Sequence, residues 1–299
     1  MLRQLIIITI VSIATQTHAE IMTVEDLAPL ANAPPGQQIA YGDDPLQFGE
    51  LQLPPGEGPF PVVVFMHGGC WFAKYDIATT RSLAVALTKA GVAVWNLEYR
   101  RIGNAGGGWP GTMLDVAAAT DHLRVLAQKY PIDLSRVIAM GHSAGGHLAL
   151  WLGVRDKIAT DSPLAAADPL PLAGIIALAP ASELAKMHVE NTCNKAATQL
   201  IGGSPGLYPD RYAAATPALM APTDVPKTLI LGAHDEIWTP IGKAYMEAAR
   251  AAGDRHVNDI EVADAGHFEL INPASNAFQI ITEALREHLD DLRSGQRIP

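Results

Sequence analysis

The apolar positions of this chain gather into short unbroken runs: PVVVFM at 61–66, VAVWNL at 92–97, RVIAMG at 136–141, AGIIALA at 173–179 and KTLILG at 227–232. A weaker run, VNDIEV at 257–262, closes the series. Runs this short, rich in β-branched residues and almost without polar alternation, predict strands buried on both faces. Between them lie stretches with helical spacing of apolar residues, at 79–90, 112–130, 144–154, 240–252 and 275–292. Upstream, Pro/Gly punctuation encloses two short pieces, 38–41 and 47–53, that read as an edge hairpin. The alternation predicts an α/β fold, a mostly parallel central sheet with right-handed crossovers and helices on both faces. Ligands in such sheets bind at the carboxyl ends of the strands, so any chemical motif must fall there.

Two segments depart from the rhythm. Between Pro180 and Pro226 the chain is longer than a simple crossover needs, and it predicts a small cap or lid insertion at about 181–226. At the start, MLRQLIIITIVSIATQTHAE places Arg3 before an apolar run about half the length of a membrane span and ends it in small and polar residues. This layout predicts a cleavable export signal over 1–19, cut after Ala19, and a secreted or periplasmic protein with no stable membrane anchor. Residues 20–299 are then expected to form one α/β domain.

Composition narrows the partners. The formal net charge is −10 and 48% of residues are hydrophobic, so the chain can build one large core, and it has no basic cluster for nucleic acid or anionic membrane. A small-molecule substrate is the expected partner. The two cysteines, Cys70 and Cys193, lack metal-ligand spacing.

The chemistry concentrates at strand ends. VIAMGHSAGGHLALW sets Gly141-His142-Ser143-Ala144-Gly145 between a strand and an Ala/Leu-rich helix, the Gly-x-Ser-x-Gly elbow in the context it requires. Ser143 is the candidate nucleophile. A serine hydroxyl needs a base, and EVADAGHFELINP offers His267 just past the last strand, the best placed of ten histidines. The base needs a carboxylate to fix its tautomer, and TLILGAHDEIWTP offers Asp235, with Glu236 and Asp264 as competitors. Attack on a carbonyl also needs fixed N–H donors for the oxyanion. Ala144, after the nucleophile, supplies one, and Gly69 or Cys70 in the His-Gly-Gly-Cys-Trp turn after 61–66 supplies the other. Trp71, Trp109 and Trp238 each follow a strand and are candidates to line the substrate pocket. Tyr99 and Arg100 are candidates to brace the oxyanion turn or to form a structural ion pair.

With HGGCW, GHSAGGHLA, GAHDEIWTP and AGHF in the order Ser, Asp, His, the chain resembles an α/β-hydrolase of the esterase/lipase superfamily across nearly all of 38–292. It is similar to kynurenine formamidases and to bacterial acetyl-esterase and feruloyl-esterase-like proteins. Cys70 is a departure, standing where related enzymes carry a third glycine or an aromatic residue. The resemblance implies an exported serine esterase acting on short acyl esters without metal or organic cofactor. An aryl formamidase, a prolyl-oligopeptidase-like peptidase and a hydrolase-fold binding protein without turnover are the alternatives. In an oxidising compartment, Cys70 and Cys193 are candidates for a disulfide tying the proposed cap to the oxyanion turn.

Overall fold

The computed structural model describes residues 20–294; the expected export signal lies outside them. Eight strands form one sheet in the order β1-β2-β4-β3-β5-β6-β7-β8. The strands are β1 (Gln37–Ala40), β2 (Phe48–Gln52), β3 (Phe60–Met66), β4 (Ala93–Leu97), β5 (Ile132–His142), β6 (Gly174–Leu178), β7 (Lys227–Gly232) and β8 (Val257–Val262). The β1–β2 hairpin and the β2–β4 pair are antiparallel, and every pair from β4 through β3 to β8 is parallel.

Burial explains why the apolar runs were so plain. Every residue of β4, β6 and β7 is buried, as five of the seven in β3 are. Such strands have no solvent face to carry polar alternation. The exceptions lie at the two edges, where β1 is mostly exposed and β8 buries only its terminal valines. The main helices are α1 (Arg81–Lys89), α2 (Gly111–Asp121), α3 (Leu123–Leu126), α4 (Ala144–Leu152), α5 (Leu184–Val189), α6 (Thr192–Ile201), α7 (Pro209–Ala215), α8 (Trp238–Ala251) and α9 (Ala277–Ser294). All nine residues of α4 are buried, which makes it the central helix of the core.

Three details differ from the sequence pattern. β5 begins at Ile132, because Ile132 pairs with Phe60 across a register shift while Asp133, Ser135 and Arg136 bond one another and hide the strand. The 112–130 pattern divides at His122 into α2 and α3. Residues 20–34, which carried no pattern, fold into two 3-10 turns, Val24–Leu27 and Leu30–Asn32. Between β6 and β7 the chain forms α5, α6 and α7. At the start of α6, Cys193, Asn194 and Lys195 adopt left-handed backbone, with φ of 51°, 53° and 59°.

Candidate active site

β5 ends at His142 and α4 starts at Ala144, so Ser143 alone makes the corner, with φ 55° and ψ −116°. A non-glycine residue held there costs about 1–3 kcal/mol, and the surroundings hold it. Its N–H donates to the carbonyl of Leu178 (2.8 Å), and its carbonyl accepts from Ala181 (3.0 Å). The flanking glycines are obligatory. A Cβ on Gly141 would lie 2.1 Å from the Gly145 carbonyl oxygen, and one on Gly145 2.1 Å from that of Met66. As the first residue of α4, Ala144 has an N–H with no acceptor inside the helix.

Asp235 sits in the turn after β7 and is 7% exposed. Its Oδ1 accepts the N–H of Trp238 (2.9 Å), and its Oδ2 meets Nδ1 of His267 at 2.7 Å. A carboxylate there holds the proton on Nδ1 and leaves Nε2 as the basic nitrogen. Trp238 stacks on the imidazole at 5.3 Å, and Phe268 meets it edge-on at 5.0 Å. Glu236 is exposed, and Asp264 is exposed and bonded to Asn276, so neither competitor partners the ring. His142 supports the loop from below, its Nε2 donating to the carbonyl of His267 (3.0 Å). Burial, then the charge of His267, pushes the pKa of His142 well below the usual imidazole range, which keeps it a neutral donor.

The His-Gly-Gly-Cys-Trp turn passes directly over the elbow: a Cβ on Gly68 would lie 2.9 Å from His142 Nδ1 and 3.2 Å from Ser143 Cβ. Gly69, Cys70 and Trp71 follow with φ of 106°, 52° and 57°. A buried polar network underpins them. Tyr99 donates its hydroxyl to the carbonyl of His67 (2.7 Å), His67 Nε2 lies 3.3 Å from Glu98, and Arg101 meets Glu98 at 2.9 Å. Burial pushes the Glu98 carboxyl up, but His67, Arg101 and the Tyr99 N–H outweigh it, leaving the pKa below the usual carboxylate value. Arg100 turns away to an ion pair with Asp115 (2.6 Å). Tyr99 and Arg101, rather than Arg100, therefore reach the turn.

Ser143, His267, Gly69, Cys70 and Trp238 share one cavity of about 170 Å³. The other two tryptophans lie elsewhere. Trp71 is fully buried with its ring edge-on to His147 at 5.2 Å, because the successive positive φ values turn it down into the core. Trp109 donates its backbone N–H to Leu200 of α6 (2.7 Å) and does not line the cavity. A disulfide joins Cys70 to Cys193, with Cα atoms 6.3 Å apart, and both cysteines line the cavity. Sequence patterns did not point to Val24, Leu27, Phe268 and Ile271, which complete its apolar wall. Phe268 is the last residue of the AGHF motif and Ile271 lies three positions beyond it, so both were within reach of such a reading; Val24 and Leu27 carried no signal. Among the described residues no cluster of His, Cys, Asp and Glu fits a metal ion.

The BD-FAE family model matches residues 50–244, which takes in the His-Gly-Gly-Cys-Trp turn, the elbow and Asp235. The chain belongs to the BD-FAE family. This is an α/β-hydrolase family of esterase type, and the sheet order and elbow described above are its frame. Among curated relatives, esterase LipC of Mycobacterium tuberculosis is 23% identical over 80% of this chain and 61% of its own. Isoprenylcysteine alpha-carbonyl methylesterase ICME of Arabidopsis thaliana is 33% identical over 38% of this chain and 26% of its own. This BD-FAE chain thus spans about three fifths of LipC and about a quarter of the methylesterase. Esterase B of Lactobacillus rhamnosis superposes with a TM-score of 0.75 at 20% identity, over 91% of both chains. A bifunctional GH43-CE protein of Bacteroides eggerthii does so with 0.71 at 25% identity, over 84% of this chain and 37% of its own.

Proposed function

We propose that this protein is an exported carboxylic ester hydrolase that acts on esters of short, uncharged acyl groups through an acyl-enzyme on Ser143. The observation that carries the reading is the 2.7 Å contact between His267 and Asp235 in the cavity that also holds Ser143 on its elbow. The serine oxygen attacks the ester carbonyl while His267 Nε2 takes its proton, and Asp235 stabilises the imidazolium. The oxyanion rests on the N–H of Ala144 and that of Gly69 or Cys70, worth about 3–4 kcal/mol for each donor. His267 then passes the proton to the departing alcohol. Water, deprotonated by the same nitrogen, releases the acid and restores the serine.

The cavity lining contains no Lys, Arg, Asp or Glu, which favours an uncharged acyl group. The relatives act on different partners by name, a carbohydrate esterase from gut microbiota and a methylesterase among them. Their common element is the ester, so it is the ester carbonyl that this site is built to receive. Export is supported by the leader-like 1–19 and suits a disulfide at the site. No helix among the described residues is long and apolar enough to cross a membrane.

The deciding experiment measures hydrolysis of nitrophenyl esters from acetate to octanoate, alongside N-formylkynurenine and a feruloyl ester, with Ser143→Ala as the blank. Turnover of short esters that vanishes in Ser143→Ala is expected. Activity surviving in that variant, or formamide turnover far above ester turnover, overturns the reading.

A further inference from the structure

The cavity has a wall that belongs to no strand, helix or motif of the hydrolase frame. Val24 and Leu27 line it together with the disulfide cysteines, and both come from the 3-10 turn that precedes the first strand. We propose that residues 21–30 form a strap that is part of the site: it closes the acyl side of the cavity, and Val24 and Leu27 limit the length of acyl group accepted. The proposal rests on the ester-hydrolase reading for the name of its ligand, but not for its geometry.

The strap is fastened at both ends. At the first end the carboxylate of Glu269, itself only 7% exposed, takes two backbone donors at once. Oε1 accepts the N–H of Met22, and Oε2 accepts the N–H of Gly266 at 2.8 Å. Gly266 immediately precedes His267, so one side chain holds the strap and the loop carrying the base in a single arrangement. Ile21 packs on that same glycine, because a Cβ on Gly266 would lie 2.4 Å from Ile21 Cγ2. At the far end the carbonyl of Leu30 accepts the hydroxyl of Ser82, in α1, at 2.7 Å.

Between the anchors the chain is stiffened locally. Asp26 Oδ2 accepts the backbone N–H of Thr23 (2.8 Å) and its hydroxyl (3.0 Å), closing the first turn of Val24–Leu27. The turn then faces its two apolar residues differently. Leu27 is 8% exposed and forms wall, whereas Val24, at 41% exposed, sits at the lip. An exposed valine beside a cavity that also presents Trp238, Phe268 and Ile271 is an apolar surface awaiting an apolar ligand. Because the wall belongs to a short turn held by hydrogen bonds, its side chains can be changed without disturbing the sheet, the elbow or the Asp235–His267 contact. That separates acyl-length selection from the chemistry in this chain.

The test compares wild type, Leu27→Ala, Leu27→Phe and Val24→Ala in two measurements across nitrophenyl acetate, butyrate, hexanoate and octanoate. One is kcat/KM; the other is binding of the same esters to each variant carrying Ser143→Ala, followed by tryptophan fluorescence. Leu27→Ala should raise the octanoate-to-acetate ratio about ten-fold, Leu27→Phe should lower the butyrate-to-acetate ratio about ten-fold, and Val24→Ala should act weakly in the same sense as Leu27→Ala. Thermal melting confirms that each variant is folded. Ratios unchanged in folded variants, in turnover or in binding, overturn the strap as a selector. If no ester is turned over by wild type but the binding ratios move as stated, the strap stands and the hydrolase reading falls.

Discussion

Two loops border the cavity that holds Ser143, and each is steadied by a buried glutamate in a different way. The proposed oxyanion turn after β3 rests on Glu98, which holds His67, the N–H of Tyr99 and the guanidinium of Arg101, and it is further tied to α6 by the Cys70–Cys193 disulfide. The histidine loop after β8 rests on Glu269, which among the described residues holds only backbone N–H groups, those of Gly266 and Met22. The difference follows from what each loop must present. The proposed oxyanion turn presents backbone, and it does so through three successive residues of positive φ, of which Cys70 and Trp71, not being glycine, are each held in a conformation unfavourable by about 1–3 kcal/mol. Such a turn relaxes unless a charge network and a covalent tie oppose it. The histidine loop presents a ring, whose aim Asp235 and Trp238 already set, so lighter fastening is enough.

The largest effect that breaks this comparison lies on the histidine side. Asp235→Asn keeps the shape of the turn but offers the wrong tautomer to His267, and kcat should fall about 10⁴-fold with little change in KM. Steady-state kinetics on nitrophenyl butyrate measure it, and a loss under ten-fold would mean that another carboxylate serves the ring. On the oxyanion side, Glu98→Gln leaves Arg101, at 2% exposed, without its counter-charge. It should cost about 3–5 kcal/mol of stability, and kcat should fall about 10²-fold as the turn loses its aim. Denaturant unfolding read together with kcat checks this. Glu269→Gln, which keeps one acceptor oxygen, should cost no more than about 1–2 kcal/mol. If the two glutamates prove equal, the asymmetry between the loops is wrong.

The disulfide sharpens the same contrast. It spans 123 positions of sequence, so on loop-closure grounds its loss should remove up to about 4–5 kcal/mol. Cys193→Ala, measured against wild type with and without dithiothreitol, should lower the melting temperature by about 5–10 °C and make the protein indifferent to reductant. The activity loss should exceed that of Glu269→Gln, because Cys70 is a candidate oxyanion donor and Cys193 shares its cavity. A reductant-insensitive wild type would show that the turn stands without its tie.

How much of this was readable beforehand depended on burial and on chirality. The runs at 61–66, 92–97 and 227–232 match β3, β4 and β7 to within a residue at each end, because strands covered on both faces are written in apolar residues alone. The elbow was readable because sterics leave it little choice of sequence: Gly141 and Gly145 face carbonyl oxygens that exclude a Cβ. Trp71 was misplaced because its direction depends on the sign of φ at Cys70 and Trp71, where the sequence shows no glycine to announce a left-handed turn. The same blindness hid the left-handed start of α6 at Cys193. The strap was invisible for another reason. Residues 21–30 carry no period, and their fastening is a carboxylate 247 positions away, from Glu269 to Met22.

A third glutamate gives the smallest and most direct check on why partners matter. Glu183 follows β6, one residue before α5, and Oε1 of its side chain is buried with no hydrogen-bond partner among the described residues. Burial pushes its pKa up to about 7, the charge of Lys186 opposing only in part, whereas Glu98 with its full set of donors is held below the usual value. The two must therefore drive stability in opposite directions with pH. The Glu98 contribution is present above the unfolded carboxyl pKa and is lost as pH falls through its depressed folded value. Glu183 binds its proton more tightly when folded, so stability declines as pH rises from the ordinary carboxyl value toward about 7. Glu183→Gln removes the second dependence and leaves the first. Its melting temperature relative to wild type should rise by about 2–4 °C between pH 5 and pH 8, and the acid limb below pH 4 should coincide with that of wild type. A difference that stays flat from pH 5 to pH 8 would mean that the carboxyl of Glu183 finds a donor in solution, and that its isolation beside the well-partnered Glu98 is not real.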